Sequence, residues 1–391
     1  MSGGTYWLLT PSGQRADGGY VDDTLVSRAD ERGLLGRLHR AGKFPRQRVE
    51  VVRNVADEQT INETYYRRGW TDGLPVVAPT LERIEPLLQT VRAGRAEVLA
   101  ELDPLRGQAS VEKVAANAVM AGCEPEHFPV LLNAVRAIAA PEFNLRGVQT
   151  TDENVTPVLI YSGPNAAALE INDSFGALGP GWRGGAAIGR ALRLVMQNIG
   201  GGWPAAVSLA GLAQPARIGL CFAEREDGNP WNALRVDEGF APDDDTLTVM
   251  RAETVINVTG GLTELASVIG SSASAFSMAY GGEVAVVLSP YTARQLDARG
   301  FSKADVQRWL HAHGRMPQAV FEEQWLKREI VAAGRWPDWL TAVPTGSPLP
   351  VVERPENIRV IVSGGDLPIA QQAYLPTWGF PPCWLTRRIE F

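Results

Sequence analysis

A chain of 391 residues exceeds one typical domain, and a formal charge of −7 over interspersed acids and bases argues against a binder of duplex nucleic acid or anionic membrane. No apolar run reaches the ~18 residues of a membrane span, and residues 1–10 lack the basic start and apolar core of a signal peptide, which predicts a cytoplasmic protein with no nucleic-acid or membrane partner. Three cysteines, Cys123, Cys221 and Cys383, are too few and too widely spaced for a disulfide framework or a paired CxxC site, so free thiols and no metal are expected.

Residues 1–53 are rich in Gly, Arg and Asp, are broken by Gly33, Gly36 and Gly42, and read as an arm or small subdomain. The clusters Trp7-Leu8-Leu9 and Val49-Val51-Val52 would be odd in water and are expected to dock on a partner subunit or on the rest of the chain, which favours a homo-oligomer. From Asp57 a helix is predicted up to Gly69. The corner Trp70-Thr71-Asp72-Gly73-Leu74-Pro75 ends it before a short apolar strand at Val76 and Val77. That corner sets an indole beside a carboxylate, so Trp70 and Asp72 suit a ligand or acid–base role as readily as core and turn-capping roles. Thr80 is predicted to cap a helix closed at Gly94, and Ser110 another closed at Gly122. A third opens at Pro125 and runs to about residue 139.

Cys123 falls between two of these helices, at the N-terminal edge of the second, where unpaired N–H groups favour a thiolate. His127 follows within one turn and is placed to share the proton. Glu124 and Glu126 push the thiol the other way, and a buried structural cysteine is the competing reading.

The second half changes character. Strands are predicted over 155–161, 217–223, 247–257, 283–289 and 357–363, with helices between several of them. This alternation means an α/β fold: a helical lobe over 54–150 packed on an α/β lobe over 151–391 that holds a mixed sheet. Residues 172–204, NDSFGALGPGWRGGAAIGRALRLVMQNIGGGWP, form a glycine-rich turn that feeds a helix over 185–199. Gly176, Gly179, Gly181, Gly184 and Gly185 would let consecutive N–H groups converge on an anion at the positive end of that helix. Arg183 and Arg190 would grip its carboxylate or phosphate, with Trp182 and Asn198 flanking. The competing reading is that these glycines only permit close helix packing, since Ile188, Ala191, Leu192, Val195 and Met196 form an ordinary core stripe. A nucleotide fingerprint is absent: there is no Lys-Ser/Thr ending and no acid at dinucleotide spacing. Further on, FAEREDGNPWNALRVDEGF carries Glu224, Glu226, Asp227 and Asp237 beyond a strand end, where acids and Trp231 could reach a cleft; most read as a solvated acidic loop, and Glu224 is the first candidate for a cleft. His311 and His313, two apart on a helix, face different ways and do not suit a shared metal.

Set in order, RGWTDGLPVVAPTLERI, MAGCEPEHFPVLL, LGPGWRGGAAIGRALRLVMQNIGGGWP, NPWNALRVDEGF and GFSKADVQRWL resemble a bacterial family whose members carry the labels thioredoxin-like and UGSC-type (seleno)protein-associated. The resemblance covers about residues 66–388. It implies thiol or selenol chemistry with a partner protein, such as a small Cys- or selenocysteine-containing chain. No thioredoxin CxxC is present, and Arg235, residues 255–259, and Tyr291 with Thr292 stand where the family pattern has histidines. The reading that follows is an enzyme acting on a small anionic metabolite, an oxidoreductase or a carbon–heteroatom lyase, with its cofactor unassigned. Gly179, Gly181, Trp182, Arg183, Gly184, Gly185, Arg190, Asn198 and Trp70 would bind, and Cys123, His127, Glu224 and Asp72 would carry chemistry. The rival is a non-catalytic scaffold subunit that completes an active site with another protein.

Overall fold

A computed structural model describes residues 6–9, 51–54 and 57–391, apart from 205, 333, 335, 380 and 382. Strands β1 (Tyr6–Leu9) and β2 (Val51–Asn54) pair antiparallel, Tyr6 opposite Asn54. Trp7, Leu8, Leu9, Val51 and Val52 of the clusters expected to dock thus stand on these two strands; Val49 and the rest of the 1–53 arm lie outside the described residues.

Helix α1 (Glu58–Arg67) starts where the Asp57 carboxylate accepts the Thr60 N–H at 2.8 Å. The strand expected at Val76 and Val77 does not form. Asn62 takes both backbone groups of Val76, its Oδ1 accepting the N–H at 2.6 Å and its Nδ2 donating to the carbonyl at 3.1 Å. Backbone groups spent on a side chain have none left for a ladder. Helix α2 (Leu81–Leu88) leads to the hairpin β3 (Val98–Leu102) and β4 (Gly107–Ser110). Ser110 then caps α3 (Val111–Ala121), which Gly122 ends at φ 90°, a left-handed C-terminal turn that glycine adopts without strain. A single 3₁₀ turn at Pro125–His127 runs into α4 (Phe128–Ile138), and α5 (Leu145–Thr150) follows.

Next in order come β5 (Thr156–Ser162), α6 (Arg183–Asn198), β6 (Cys221–Ala223), α7 (Leu234–Asp237), β7 (Thr246–Ala252), β8 (Ile256–Thr259), α8 (Leu262–Ile269), α9 (Ala275–Tyr280) and β9 (Val284–Leu288). After them come α10 (Pro290–Asp297), α11 (Lys303–His313), β10 (Arg315–Met316), α12 (Gln318–Glu323), α13 (Asp338–Thr341), β11 (Leu349–Pro350), β12 (Ile358–Val362), β13 (Gln371–Leu375) and β14 (Trp384–Arg388).

Eight strands build two sheets of one pattern, β6-β5-β7-β14 and β12-β9-β13-β8. Each has a parallel pair at one edge, β5 with β6 and β9 with β12, followed by two antiparallel neighbours. The registers correspond as well: Tyr161 faces Ala223 as Leu288 faces Val362. The chain leaves β7 for β8 in the second sheet, and leaves β13 for β14 in the first, so the two halves exchange their last strands. The single strand expected over 247–257 is therefore two strands in two sheets.

Alternation along the strands separates three cores. Val158, Ile160 and Met250 of the first sheet face Ala285, Val287, Ile361 and Leu375 of the second. Leu159, Tyr161, Leu247 and Val249 point the other way, into the core shared with α3, α4 and α6. Val284, Val286, Leu288 and Val360 do the same toward α8 and α11. The result is an α/β fold of four layers, helices outside two stacked mixed sheets. The helices before residue 150 share their core with the first sheet, so the lobe expected over 54–150 is the outer layer of the lobe expected after it. None of the described helices is long and apolar enough to cross a membrane.

Candidate functional site

The two most distinctive sequence motifs bind each other. Helix α6 presents Arg190, Gln197 and Asn198, a helical i, i+7, i+8 set, to the RGWTDGLP corner. Arg190 grips both Asp72 carboxylate oxygens at 2.8 Å and donates to the Pro75 carbonyl at 2.8 Å. Gln197 donates to the Thr71 carbonyl at 2.7 Å, and Asn198 to the Trp70 carbonyl at 2.9 Å and to Asn117 Oδ1 at 2.8 Å. Trp203, just past the helix, donates its indole N–H to the Gly69 carbonyl at 2.8 Å. Trp70 itself is buried among Ile61, Tyr65, Met120 and Leu194, edge-on to Tyr65 with 5.1 Å between ring centres. Trp70, Asp72, Arg190 and Asn198 thus hold the fold together, and Arg190 is not the free guanidinium expected from its place in the loop.

Nor is Arg183 free. It is exposed and pairs with Glu124 at 2.6 Å across the mouth of the helix. The glycines divide into two kinds. A Cβ on Gly184 would lie 1.8 Å from the Leu169 carbonyl oxygen, and one on Gly185 2.7 Å from that of Cys221. Gly184 lets the start of α6 lie flush on the 169–170 backbone, and Gly185 and Gly189 let the helix lie on the backbone of 219–221 that leads into β6. Gly179 and Gly181 stand in the turn ahead of the helix, with open space beside Gly181, and Trp182 at the helix start is exposed.

Cys123 is a core residue rather than an exposed helix-terminal thiol. It is buried with α3, α4 and α6, and burial, with Cys221 and Glu124 adding, pushes its thiol far above the usual range. His127 Nδ1 accepts the Glu124 N–H at 3.1 Å, closing the turn, and burial holds the imidazole below its ordinary value. Cys221 is pushed up to about 12 by burial, although it lines a cavity described below. Native protein treated with iodoacetamide at pH 7 should therefore label Cys123 and Cys221 only as it unfolds, because the thiolate is the reactive form. Mass-mapped modification of Cys123 at the rate of a free thiol would contradict its place in the core.

Glu224 is buried and fully engaged: it accepts the Leu234 N–H at 2.6 Å, the Ser162 hydroxyl at 2.8 Å and the Asn229 amide at 3.0 Å. It anchors the start of α7 behind β5, and burial raises its carboxyl.

A different pair of charges opens onto a cavity. Arg193, one turn after Arg190 on α6, is buried and donates to the Gly202 carbonyl at 3.0 Å. Arg217, in the 3₁₀ turn Pro215–Ile218, donates to the Ser208 hydroxyl at 2.9 Å. Both line a chamber of about 180 Å³ between α6 and the 204–218 segment. Neither has a carboxylate within 4.0 Å among the described residues. Burial, with Arg217 adding, brings Arg193 down to about 10, and burial lowers Arg217 as well; guanidiniums stay charged in proteins, so the two repel. Asp72 also lines the chamber, but its charge is matched by Arg190. Asp72 acts on Arg193 and Glu253 on Arg217 only from beyond contact distance, and two like charges so placed in a half-buried chamber favour an anion that joins them. Sequence reading passed over Arg193, which shares the face of Arg190 and Gln197 opposite the apolar stripe of α6, and over Arg217 because it opened a predicted strand. The available signal was a second arginine at i+3 from Arg190 on that same face.

Beyond Arg217, Glu253 at the end of β7 keeps Oε1 buried without a hydrogen-bond partner. Burial, with Glu153 adding, raises this carboxyl from 4.5 to about 8. Between those pH values the folded state holds a proton that the unfolded chain has lost, so stability falls as pH rises from 4.5 to 8. Glu253→Gln should remove that slope and stabilise the protein at pH 9 by on the order of 2 kcal/mol. Urea midpoints from pH 5 to 9 that run parallel in both proteins would contradict it.

Among the described residues, no group of three or more His, Cys, Asp or Glu side chains is placed to hold a metal ion. Comparison of the chain with protein-family models, with curated proteins and with solved structures finds no match.

Proposed function

We propose that this protein binds a small anionic metabolite between Arg193 and Arg217, and acts on it as an enzyme. The observation that carries this reading is a buried and a half-buried guanidinium that share one chamber and have no carboxylate within 4.0 Å among the described residues. In this reading the helix contributes a side chain about three turns in, Arg193, in place of the N-terminal glycines expected to hold the anion. The reading needs no reactive thiol, and the buried setting of Cys123 lends thiol chemistry no support. An acid is near: the raised carboxyl of Glu253 feels Arg217 and is suited to give up a proton near neutral pH.

Arg217→Met, at the less buried of the two positions, should weaken binding of inorganic phosphate or succinate by about 10- to 150-fold, since a charge-assisted hydrogen bond contributes roughly 1.5–3 kcal/mol. Isothermal titration of the full chain measures this. Equal affinities in native protein and in the Arg193→Met and Arg217→Met variants would remove the pair from any site.

One observation favours the second reading, a scaffold subunit with a protein partner. Leu74, Leu209, Leu212 and Ile218, all exposed, stand on the segments that border the chamber, and Leu212 is 92% exposed. Apolar side chains left in water around a cleft mark contact surfaces. Turnover of a substrate by the isolated chain would exclude a scaffold role.

A further inference from the structure

The chamber is one end of a larger cleft. Gln214 and Ile218 line both it and a second cavity of about 530 Å³. This second cavity runs along the outer edge of β6, beneath the start of α6. Its walls include Leu178, Pro180, Ala186, Leu220 and Val255. Among the described residues its one charged wall residue is Arg190, which is already paired with Asp72. A volume of 530 Å³ is that of a site for an organic ligand of ordinary size, whereas the arginine chamber holds little more than a head group.

The partition between the two is half fixed and half open. Gln214 cannot swing, because its amide donates to the Asn154, Ala252 and Glu253 carbonyls at 2.7, 3.0 and 2.5 Å. Ile218 opposite it is 52% exposed and offers an apolar edge to whatever passes. Two cations with no carboxylate in contact at one end and an apolar pocket at the other select against a compact, doubly charged solute, which would leave the larger cavity filled with water.

Resting on the anion reading above, we infer that the ligand is amphiphilic: a carboxylate or phosphate head between Arg193 and Arg217, and an alkyl or aryl body in the cavity beside β6. The head supplies the charge that the two arginines lack. The body covers Leu178, Leu220 and Val255 and passes Ile218.

Isothermal titration of the full chain with acetate, butyrate, hexanoate and octanoate, and with methyl to octyl phosphate, tests this. Affinity should rise about fourfold per methylene in at least one series, so that octanoate or octyl phosphate binds roughly 250-fold tighter than its four-carbon counterpart. The series with the tighter binding identifies the head. Ile218→Asp, at an exposed position where a polar side chain does not threaten the fold, should weaken octanoate or octyl phosphate at least tenfold; no loss would overturn the shared cleft. Measurable binding with no gain along either series overturns the amphiphile and leaves the anion site standing. No binding by any member of either series overturns the anion reading beneath it. A gain with chain length that Arg193→Met and Arg217→Met leave at full affinity would show that the apolar body binds apart from the arginines, which also overturns the inference.

Discussion

Gly184→Val should not fold. The Cβ that any other residue brings to this position would lie 1.8 Å from the Leu169 carbonyl oxygen and 2.9 Å from backbone atoms of Glu170. Those are backbone atoms in the segment that precedes α6, so no rotamer change relieves the clash; the helix must move away. Moving it lifts Ile188, Leu192 and Val195 out of the core they share with α3, α4 and β5. Ordinary overpacking costs about 1–3 kcal/mol, and losing the burial of three large aliphatic side chains adds roughly 1.5–3 kcal/mol each. The sum approaches the whole stability of a typical protein. Gly94→Ala is the control: nothing lies within 4 Å of its would-be Cβ, and the change should stay within about 0.5 kcal/mol. Soluble yield and thermal melting of the two variants decide it. A Gly184→Val protein that melts near the native temperature would show that α6 is not held against 169–170.

This close approach explains what the glycine-rich motif says and what it hides. Read locally, Gly184 and Gly185 suit an anion cradle and a tight helix–strand contact equally, and only the position of the Leu169 and Cys221 carbonyls decides between them. Caps and stops were legible because their chemistry is local. Asp57, Ser110 and Gly122 do at the helix ends what their residue types predict. Strands β5, β9 and β12 were legible from their apolar runs before Ser-Gly or Ser-Pro turns. Which strand pairs with which was not, since exchange of β8 and β14 between the sheets leaves no trace in either strand's own pattern. Strand β13 escaped notice because its alternation, Gln371 to Leu375, is short and begins on two glutamines. The arginine chamber escaped for a related reason. Arg193 and Arg217 are 24 positions apart in the chain, and each is unremarkable where it stands.

Asp72→Ala should be the most damaging change at a polar side chain. Its carboxylate is the two-point partner of Arg190, with side-chain exposures of 6% for the acid and 16% for the base, so neither group is well hydrated. Removing one member of such a pair leaves the other charge buried without compensation, which costs about 3–5 kcal/mol. The same carboxylate also offsets the charge of Arg193, one turn further along α6. Three cations would then crowd one side of the helix, and the corner would be held by the bonds of Gln197, Asn198 and Trp203 to residues 69–71 and by those of Arg190 to the Leu74 and Pro75 carbonyls. Arg190→Met should cost less, because methionine keeps the stem's packing and leaves an acid that Arg193 can still attract. Stability of both single variants and of the double variant, from urea titration, closes a cycle for the pair. A coupling of about 2 kcal/mol or more is expected, with the double variant more stable than Asp72→Ala. If the two losses simply add, the ion pair is not what joins α6 to the RGWTDGLP corner, and the backbone contacts of Gln197 and Asn198 carry that junction.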